Sequence, residues 1–275
     1  MPELPEVETI RRSLLFLEGR NVASLSFSRL APVETTRPEI LAKNFQGQRI
    51  HKLERRGKYL LICNEDGAAM VLHLGMSGRL QFFATAPARL GKHDHMVFEF
   101  DDGSRLIYQD ARRFGTLSLS LRAERDDNAF LQRLGPDFLE ENWIAEDFVG
   151  RCRRHPGIDL KALTLHQGIA AGLGNIYACE ALYRAGLSPR RRIRRTKDSE
   201  LAALWEAARA TLRLGIEMGG SSLRDYFDGL GNRGVMKEYL QVYDREGLCT
   251  LDGRGMVRRI VQQGRSTWYS PEIQR

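Results

Sequence analysis

The chain has 275 residues, 42% of them hydrophobic, and 42 Lys and Arg against 35 Asp and Glu give it a formal charge of +7. That length suits one large domain or two ordinary ones, and the basic balance favours a polyanionic partner without requiring one. Cys63, Cys152, Cys179 and Cys249 show neither metal-ligand spacing nor a disulfide framework, and no stretch reads as a signal core or membrane span, so a soluble, reduced, cytoplasmic protein is expected.

The chain opens Met1-Pro2-Glu3-Leu4-Pro5-Glu6. Removal of Met1 leaves a secondary amine whose ordinary pKa is roughly 8, against about 10.4 for lysine. Such an amine attacks carbon electrophiles, and a secondary amine gives a permanently cationic iminium. Glu3 stands where it can move protons for that chemistry. The alternative is a polar start stiffened by two prolines, and these six residues alone favour it; the rest of the chain reverses that balance.

Residues Val7 to Leu17 carry apolar residues at helical spacing. From about Val22 to Ser120 the text turns to short β-rich runs, among them Tyr59 to Ile62, Ala69 to Leu74 and Met96 to Phe100. Asn64-Glu65-Asp66-Gly67 and Asp101-Asp102-Gly103-Ser104 mark turns between them. Short strands at this spacing predict a β-sandwich or barrel. Arg122 to Asn142, polar and holding Gly135-Pro136, reads as a crossing between domains.

Helical patterning follows from Glu146 to Gly219, clearest from Leu201 to Leu212. A helix from Ile176 is expected to stop at Gly186, with Pro189 beyond. Arg190-Arg191-Arg192-Ile193-Arg194-Arg195 is the densest charge run. It reads as a solvated loop or as a source of non-specific phosphate attraction. Residues 219–238, rich in Gly, Ser, Asp and Asn, predict a mobile loop, and β character returns at Tyr239 to Tyr243, Val257 to Val261 and Ser266 to Tyr269.

Seven segments, in order, carry a resemblance across nearly the whole chain. They are Pro2 to Thr9, Arg56-Gly57-Lys58-Tyr59-Leu60, His73 to Gly78, Lys92 to His95, Asp110 to Gly115, Gly172 to Tyr177 and Gln263 to Thr267. Together they resemble formamidopyrimidine-DNA glycosylases, bifunctional repair enzymes for oxidised guanine. The resemblance implies an α+β fold with a leading helix and β-sandwich over 1–135. It also implies a helix–two-turn–helix domain with a lesion-capping loop over 136–238, and a β-hairpin finger over 239–275.

The resemblance implies Pro2 as nucleophile, Glu3 as proton donor and Lys58 as a second catalytic cation. Glu6 is expected to be structural support. Met76 and Phe114 match wedge positions that hold open the stack left by an everted nucleotide, and Arg112 matches a guanidinium facing the orphaned base. His73, His93, Lys161 and Asn175 match DNA-contacting positions, and Arg265, counted with the catalytic residues, matches a finger arginine that grips phosphate beside the lesion and assists the second elimination. The partner so implied is damaged duplex DNA, bound by a monomer without a membrane.

Most members of that family end in a zinc finger with two Cys-x-x-Cys pairs. This chain keeps only Cys249; Asp252, Ser270 and Ile273 stand at the other positions, and no histidine follows His166. Structural zinc needs four N or S donors, so no zinc is expected, and packing must hold the finger. Two other readings stay open: the sister branch acting on oxidised pyrimidines, and a catalytically silent damage binder.

Overall fold

The computed structural model describes every residue except Met1, Ala123, Glu124, Asp126 and 222–226. The chain forms two compact units, residues 1–132 with 219–234, and residues 133–218 with 235–275. The finger is therefore not a third unit. It groups with the helices, while the loop from 219 groups with the sandwich.

The first unit opens with helix α1 (Leu4–Ser13), three residues earlier than the apolar spacing suggests. Glu3 is the N-cap, and Pro5 sits in the first turn, where its missing N–H is no loss. Strands β1 (Val22–Phe27), β2 (Ile50–Arg56), β3 (Tyr59–Asn64), β4 (Ala69–His73), β5 (Arg79–Phe83), β6 (Asp94–Phe100), β7 (Arg105–Gln109) and β8 (Thr116–Ser120) follow. Helix α2 (Pro38–Phe45) lies between β1 and β2, and a short α3 (Ala129–Gln132) comes after β8.

The strands pair into two antiparallel four-stranded sheets, ordered β1-β6-β7-β5 and β2-β3-β4-β8. Leu60, Ile62, Met70 and Leu72 of one sheet share a core with Phe98, Leu106 and Tyr108 of the other. Val7, Ile10 and Leu14 join that core, so β3 is buried on almost every residue and reads as a continuous apolar run. Burying one such side chain stabilises the fold by roughly 1.5–3 kcal/mol.

The second unit holds α4 (Ala145–Arg153), α5 (Leu160–Leu165), α6 (Asn175–Arg184) and α7 (Asp198–Glu217). Helix α6 ends as expected at Gly186, at φ +68°. The Gly186 and Leu187 amides donate back to Tyr183 and Leu182 carbonyls, at 2.9 and 3.0 Å. That is a Schellman stop. Leu201, Leu204, Trp205, Ala208 and Leu212 bury one stripe of α7. The hairpin of β9 (Arg258–Gln262) and β10 (Arg265–Tyr269) completes the unit.

The strand expected at Tyr239 to Tyr243 does not form. Met236–Tyr239 is a 3₁₀ turn. The amides of Gln241, Val242 and Tyr243 all donate to the buried Glu180 carboxylate, at 2.8–3.0 Å. A side chain has taken the place of a pairing strand. Among the described residues, no helix is long and apolar enough to cross a membrane.

Glu8 of α1 supplies a test of how the first helix is held. Its carboxylate accepts from Arg11, Arg12 and Arg55 at 2.8–3.2 Å. Burial acts to raise its pKa, but the Arg11 and Arg12 hydrogen bonds and the charges of Arg11 and Arg55 outweigh it. The result lies near 2, below the usual 4.5. A depressed carboxylate stabilises the fold above its unfolded pKa and loses that effect as pH falls through the folded one. The thermal midpoint of the wild type should therefore exceed that of Glu8→Gln at pH 6, and the gap should close between about pH 4.5 and 2.

Candidate active site and DNA-binding residues

Pro2 and Glu3 form the extended lead into α1, and both are buried, Glu3 to 2% exposure. The Glu3 N–H, the amide directly after the proline ring, donates to Glu6 Oε2 at 2.8 Å. Glu6 Oε1 accepts the Ser221 N–H at 2.7 Å. One buried carboxylate thus holds both the Pro2–Glu3 peptide and the root of the loop from 219. The expected lesion-capping segment continues into 222–226, which lie outside the described residues. Acidic groups here also face the positive end of the helix dipole.

Lys58 is the second residue of the two-residue β2–β3 turn, whose first, Gly57, adopts φ +57°. Arg55 reaches from Glu8 (3.2 Å) to the Gly57 carbonyl (3.0 Å), so α1 fixes the backbone beside Lys58. Lys58 is largely buried, at 8% exposure, and its charge bears on His73. Burial first, and the Lys58 ammonium second, push the His73 pKa down to about 4. His73 Nδ1 accepts the Gly75 N–H at 3.1 Å. The ring is therefore neutral at pH 7, with its hydrogen on Nε2, ready to donate to an oxygen.

Met76 and Phe114 are 46% and 55% exposed, unusual for large apolar side chains. Their loops are locked together. Gly75 has φ +62°, and a Cβ there would come within 2.3 Å of the Phe114 backbone. Buried Asp110 joins the same loops. It accepts from Ser77 Oγ (2.6 Å), Tyr108 Oη (3.1 Å), and the Arg112 and Gly115 amides (3.2 and 2.8 Å). Burial acts to raise the Asp110 pKa, and these bonds lower it further than burial raises it.

Arg112 is exposed and stacks over the Phe114 ring at 4.6 Å. Arg113 between them adopts φ +56°, a conformation side chains seldom take outside constrained loops. His93 is exposed, and its carbonyl accepts the Asp110 amide at 3.0 Å. Its neighbour His95 is buried and takes the internal role, with Nε2 bonded to the Asp110 carbonyl at 3.0 Å. Asp110 was visible in the motif, but its role follows only from partners up to 33 residues away.

In the second unit, Asn175 begins α6 and donates through Nδ2 to the Ser266 carbonyl at 2.9 Å. Ser266 follows Arg265, so the structure brings Asn175 to the hairpin that carries Arg265. Gln263 and Gly264 turn that hairpin at φ +50° and +72°, leaving Arg265 exposed at the turn's exit. Lys161 departs from expectation. It is 1% exposed, and its ammonium donates to Cys179 Sγ (2.9 Å) and the Asn175 carbonyl (3.3 Å). Here it braces the start of α6 rather than presenting a surface cation, because α6 covers it on a face that single-sequence periodicity does not assign.

The finger positions do not fit a tetrahedral metal site. Cys249 is exposed. The Asp252 carboxylate is already occupied by Tyr183 Oη (2.8 Å), Thr250 Oγ1 (2.8 Å) and Arg254 Nε (2.8 Å). Burial acts to raise its pKa, yet these three partners hold it near 2. Ser270 donates to Glu272 at 2.9 Å, and Ile273 packs beside the apolar cluster of Cys179, Tyr183, Val242 and Val257. Among the described residues no group of three or more His, Cys, Asp or Glu is gathered for a metal.

The His73 environment generates a direct test. Its ring resonance, followed by NMR, should titrate near pH 4, and Lys58→Gln should move the midpoint upward. Stability contributed by the neutral ring is present above the usual 6.5 and is lost as pH falls towards 4. A midpoint near 6.5 in both proteins would show that the ring is neither buried nor next to the ammonium.

A family profile for the formamidopyrimidine-DNA glycosylase N-terminal domain matches residues 1–117, and one for the H2TH domain of the same enzymes matches residues 134–226. A formamidopyrimidine-DNA glycosylase of Ruegeria pomeroyi is 42% identical over 286 residues, covering all of both chains. Lactococcus lactis Fpg in complex with DNA containing an abasic site superposes with a TM-score of 0.89 at 34% identity, again over all of both chains. The wild-type form of that enzyme in complex with DNA containing N7-benzyl-Fapy-dG gives a TM-score of 0.88 at 34% identity over the same coverage. The chain belongs to the formamidopyrimidine-DNA glycosylase family, the DNA glycosylases of base excision repair.

Proposed function

We propose that this glycosylase excises oxidised purines, 8-oxoguanine and formamidopyrimidines, from duplex DNA through a Schiff base on Pro2, and then cleaves the strand. The observation that carries the reading is the buried Pro2–Glu3 segment, whose amide is clamped by Glu6 at 2.8 Å. A nucleophile at a chain end needs such restraint to reach a fixed geometry.

Once Met1 is removed, the Pro2 nitrogen attacks C1′ of the damaged nucleotide. The glycosidic bond breaks and the base leaves with the proton that the amine gives up; Glu3 then protonates the ring oxygen O4′, so that the C1′–O4′ bond opens as the C1′=N bond forms. The sugar is then held as an iminium. That cation acidifies C2′–H, so loss of this proton expels the 3′ phosphate. A second elimination expels the 5′ phosphate. Lys58 offers a cation beside the reacting sugar, and neutral His73 and Arg265 offer donors to phosphate oxygens. Met76, Arg112 and Phe114 fill the gap left by the everted nucleotide.

Borohydride trapping tests the reading. Parallel duplexes would carry 8-oxoguanine opposite cytosine, an oxidised pyrimidine, or undamaged guanine. A covalent adduct with the first duplex, mapped to Pro2, is expected. Pro2→Gly should keep part of the lyase activity, since glycine still offers an amine, while a blocked N-terminus should trap nothing. An adduct with the pyrimidine lesion alone would move the chain to the sister branch. No adduct from protein shown by mass to lack Met1 would leave a silent binder.

The finger is proposed to work without zinc, as a monomer's own packing device. Prolonged chelation should leave the thermal midpoint unmoved, whereas Asp252→Ala should lower stability by about 1–2 kcal/mol, the scale of a charged hydrogen-bond cluster at a partly exposed site. A midpoint that drops on chelation and recovers with added zinc would overturn the metal-free finger.

A further inference from the structure

The arginine run after α6 belongs to none of the roles above, yet it is built rather than loose. Arg190, Arg192, Arg194 and Arg195 are exposed, and none of the four has a salt-bridge partner among the described residues. Arg191 alone turns inward, to Glu200 at 2.7 Å and to the Arg275 carbonyl. Ile193 is fully buried and pins the run at its centre.

The backbone is strapped on both sides of that anchor. The Leu160 amide donates to the Arg191 carbonyl at 2.8 Å, and the Ile193 and Arg194 amides donate to Ile158 and Pro156 at 3.1 Å. Arg153 caps the Ile193 and Thr196 carbonyls at 2.9 and 2.7 Å. Five arginines therefore border one hollow of about 360 Å³. Arg190 and Arg192 also border a second, of about 470 Å³, together with Ile260, Val261 and Gln262 of β9 and with Asp159, whose carboxylate accepts the Ala162 amide at 2.7 Å. Gln262 donates to the Pro189 carbonyl at 3.3 Å and pairs across the hairpin with Arg265.

Like charges at this density repel one another, and a fixed backbone keeps their attachment points close together. Binding a polyanion relieves that repulsion and releases its counterions. Guanidinium forks match phosphate oxygens in pairs. The surface is continuous with the hairpin carrying Arg265, which favours the partner that hairpin is proposed to grip.

We propose that Arg190, Arg192, Arg194 and Arg195 form an auxiliary phosphate-binding surface that engages the sugar–phosphate backbone of duplex DNA, with no contribution to lesion choice. This rests on reading the chain as a DNA-binding glycosylase.

The test is equilibrium binding to an undamaged duplex of about 40 base pairs by fluorescence anisotropy, across a salt series. The wild type should lose affinity steeply with salt. R190Q/R192Q/R194Q/R195Q should bind at least about tenfold more weakly at low salt, with the log–log salt slope reduced by about 2–4, since each phosphate contact contributes about 0.9. The matching quadruple lysine variant should keep most of the slope, and thermal unfolding of each variant checks its folding. Equal affinity and slope for wild type and the glutamine variant would overturn the inference and leave the run to another acidic partner. Equal losses in the lysine and glutamine variants would overturn it too, because charge would then not be the cause. A wild type that fails to bind duplex DNA at all would instead defeat the broader reading of function.

Discussion

A single buried carboxylate, that of Glu6, ties together the parts of this fold that matter most. Chain ends fray unless something holds them. Here one oxygen of Glu6 takes the amide that follows Pro2, and the other takes Ser221, 215 residues away. The helix that begins between them is buried along one face in the sandwich core. Its next carboxylate, Glu8, holds Arg55, and Arg55 holds the carbonyl of Gly57 beside Lys58. The proposed nucleophile and the proposed cation are thus both referenced to α1. A flexible terminus has become a rigid element through two glutamates on one helix.

The proposed wedge residues depend on the same device in another place. Exposed Met76 and Phe114 gain nothing from burial in the free protein, so their loops need restraint from elsewhere. Asp110 gives it through hydrogen bonds to both loops, and Gly75 and Gly115 allow the backbones to touch. A Cβ at Gly115 would meet the Tyr108 hydroxyl at 1.9 Å, so the close approach is paid for in glycine rather than in strain. Only Arg113 carries a left-handed conformation there without being glycine.

Local chemistry made much of this legible in the sequence. The short β-rich runs, the turns at 64–67 and 101–104 and the Gly186 stop follow from rules that act over a few residues. The N-terminal segment took its proposed meaning only from the resemblance across the chain, and the two prolines hid the true start of α1. The rest depends on distant partners. Nothing near Glu180 announces that it will replace a strand at 241–243, and nothing near Lys161 announces that α6 will cover it. Both are charged residues buried against another element, Lys161 against the next helix and Glu180 against a segment 61 residues on, where periodicity carries no information. The arginine run was visible as charge, but whether it was slack or fixed required the buried Ile193 and its backbone straps.

In the zinc-free finger proposed above, long-range contacts would take over a metal's structural work. A zinc ion would join four points of the hairpin and its approach through short bonds. This chain instead ties the segment leading into the hairpin to Glu180, the turn at Asp252 to Tyr183, and strand β10 to Asn175. All three anchors lie on α6, so the helix that starts with Asn175 also sets the position of the hairpin bearing Arg265. Each hydrogen bond contributes only about 1 kcal/mol net, but they act at separate points along one rigid rod. Geometry, rather than the strength of any one bond, is what the hairpin needs in order to hold an exposed arginine in place. These contacts keep the hairpin bearing Arg265 registered to Asn175, provided that α6 itself stays packed, and its burial along nearly every residue supplies that condition.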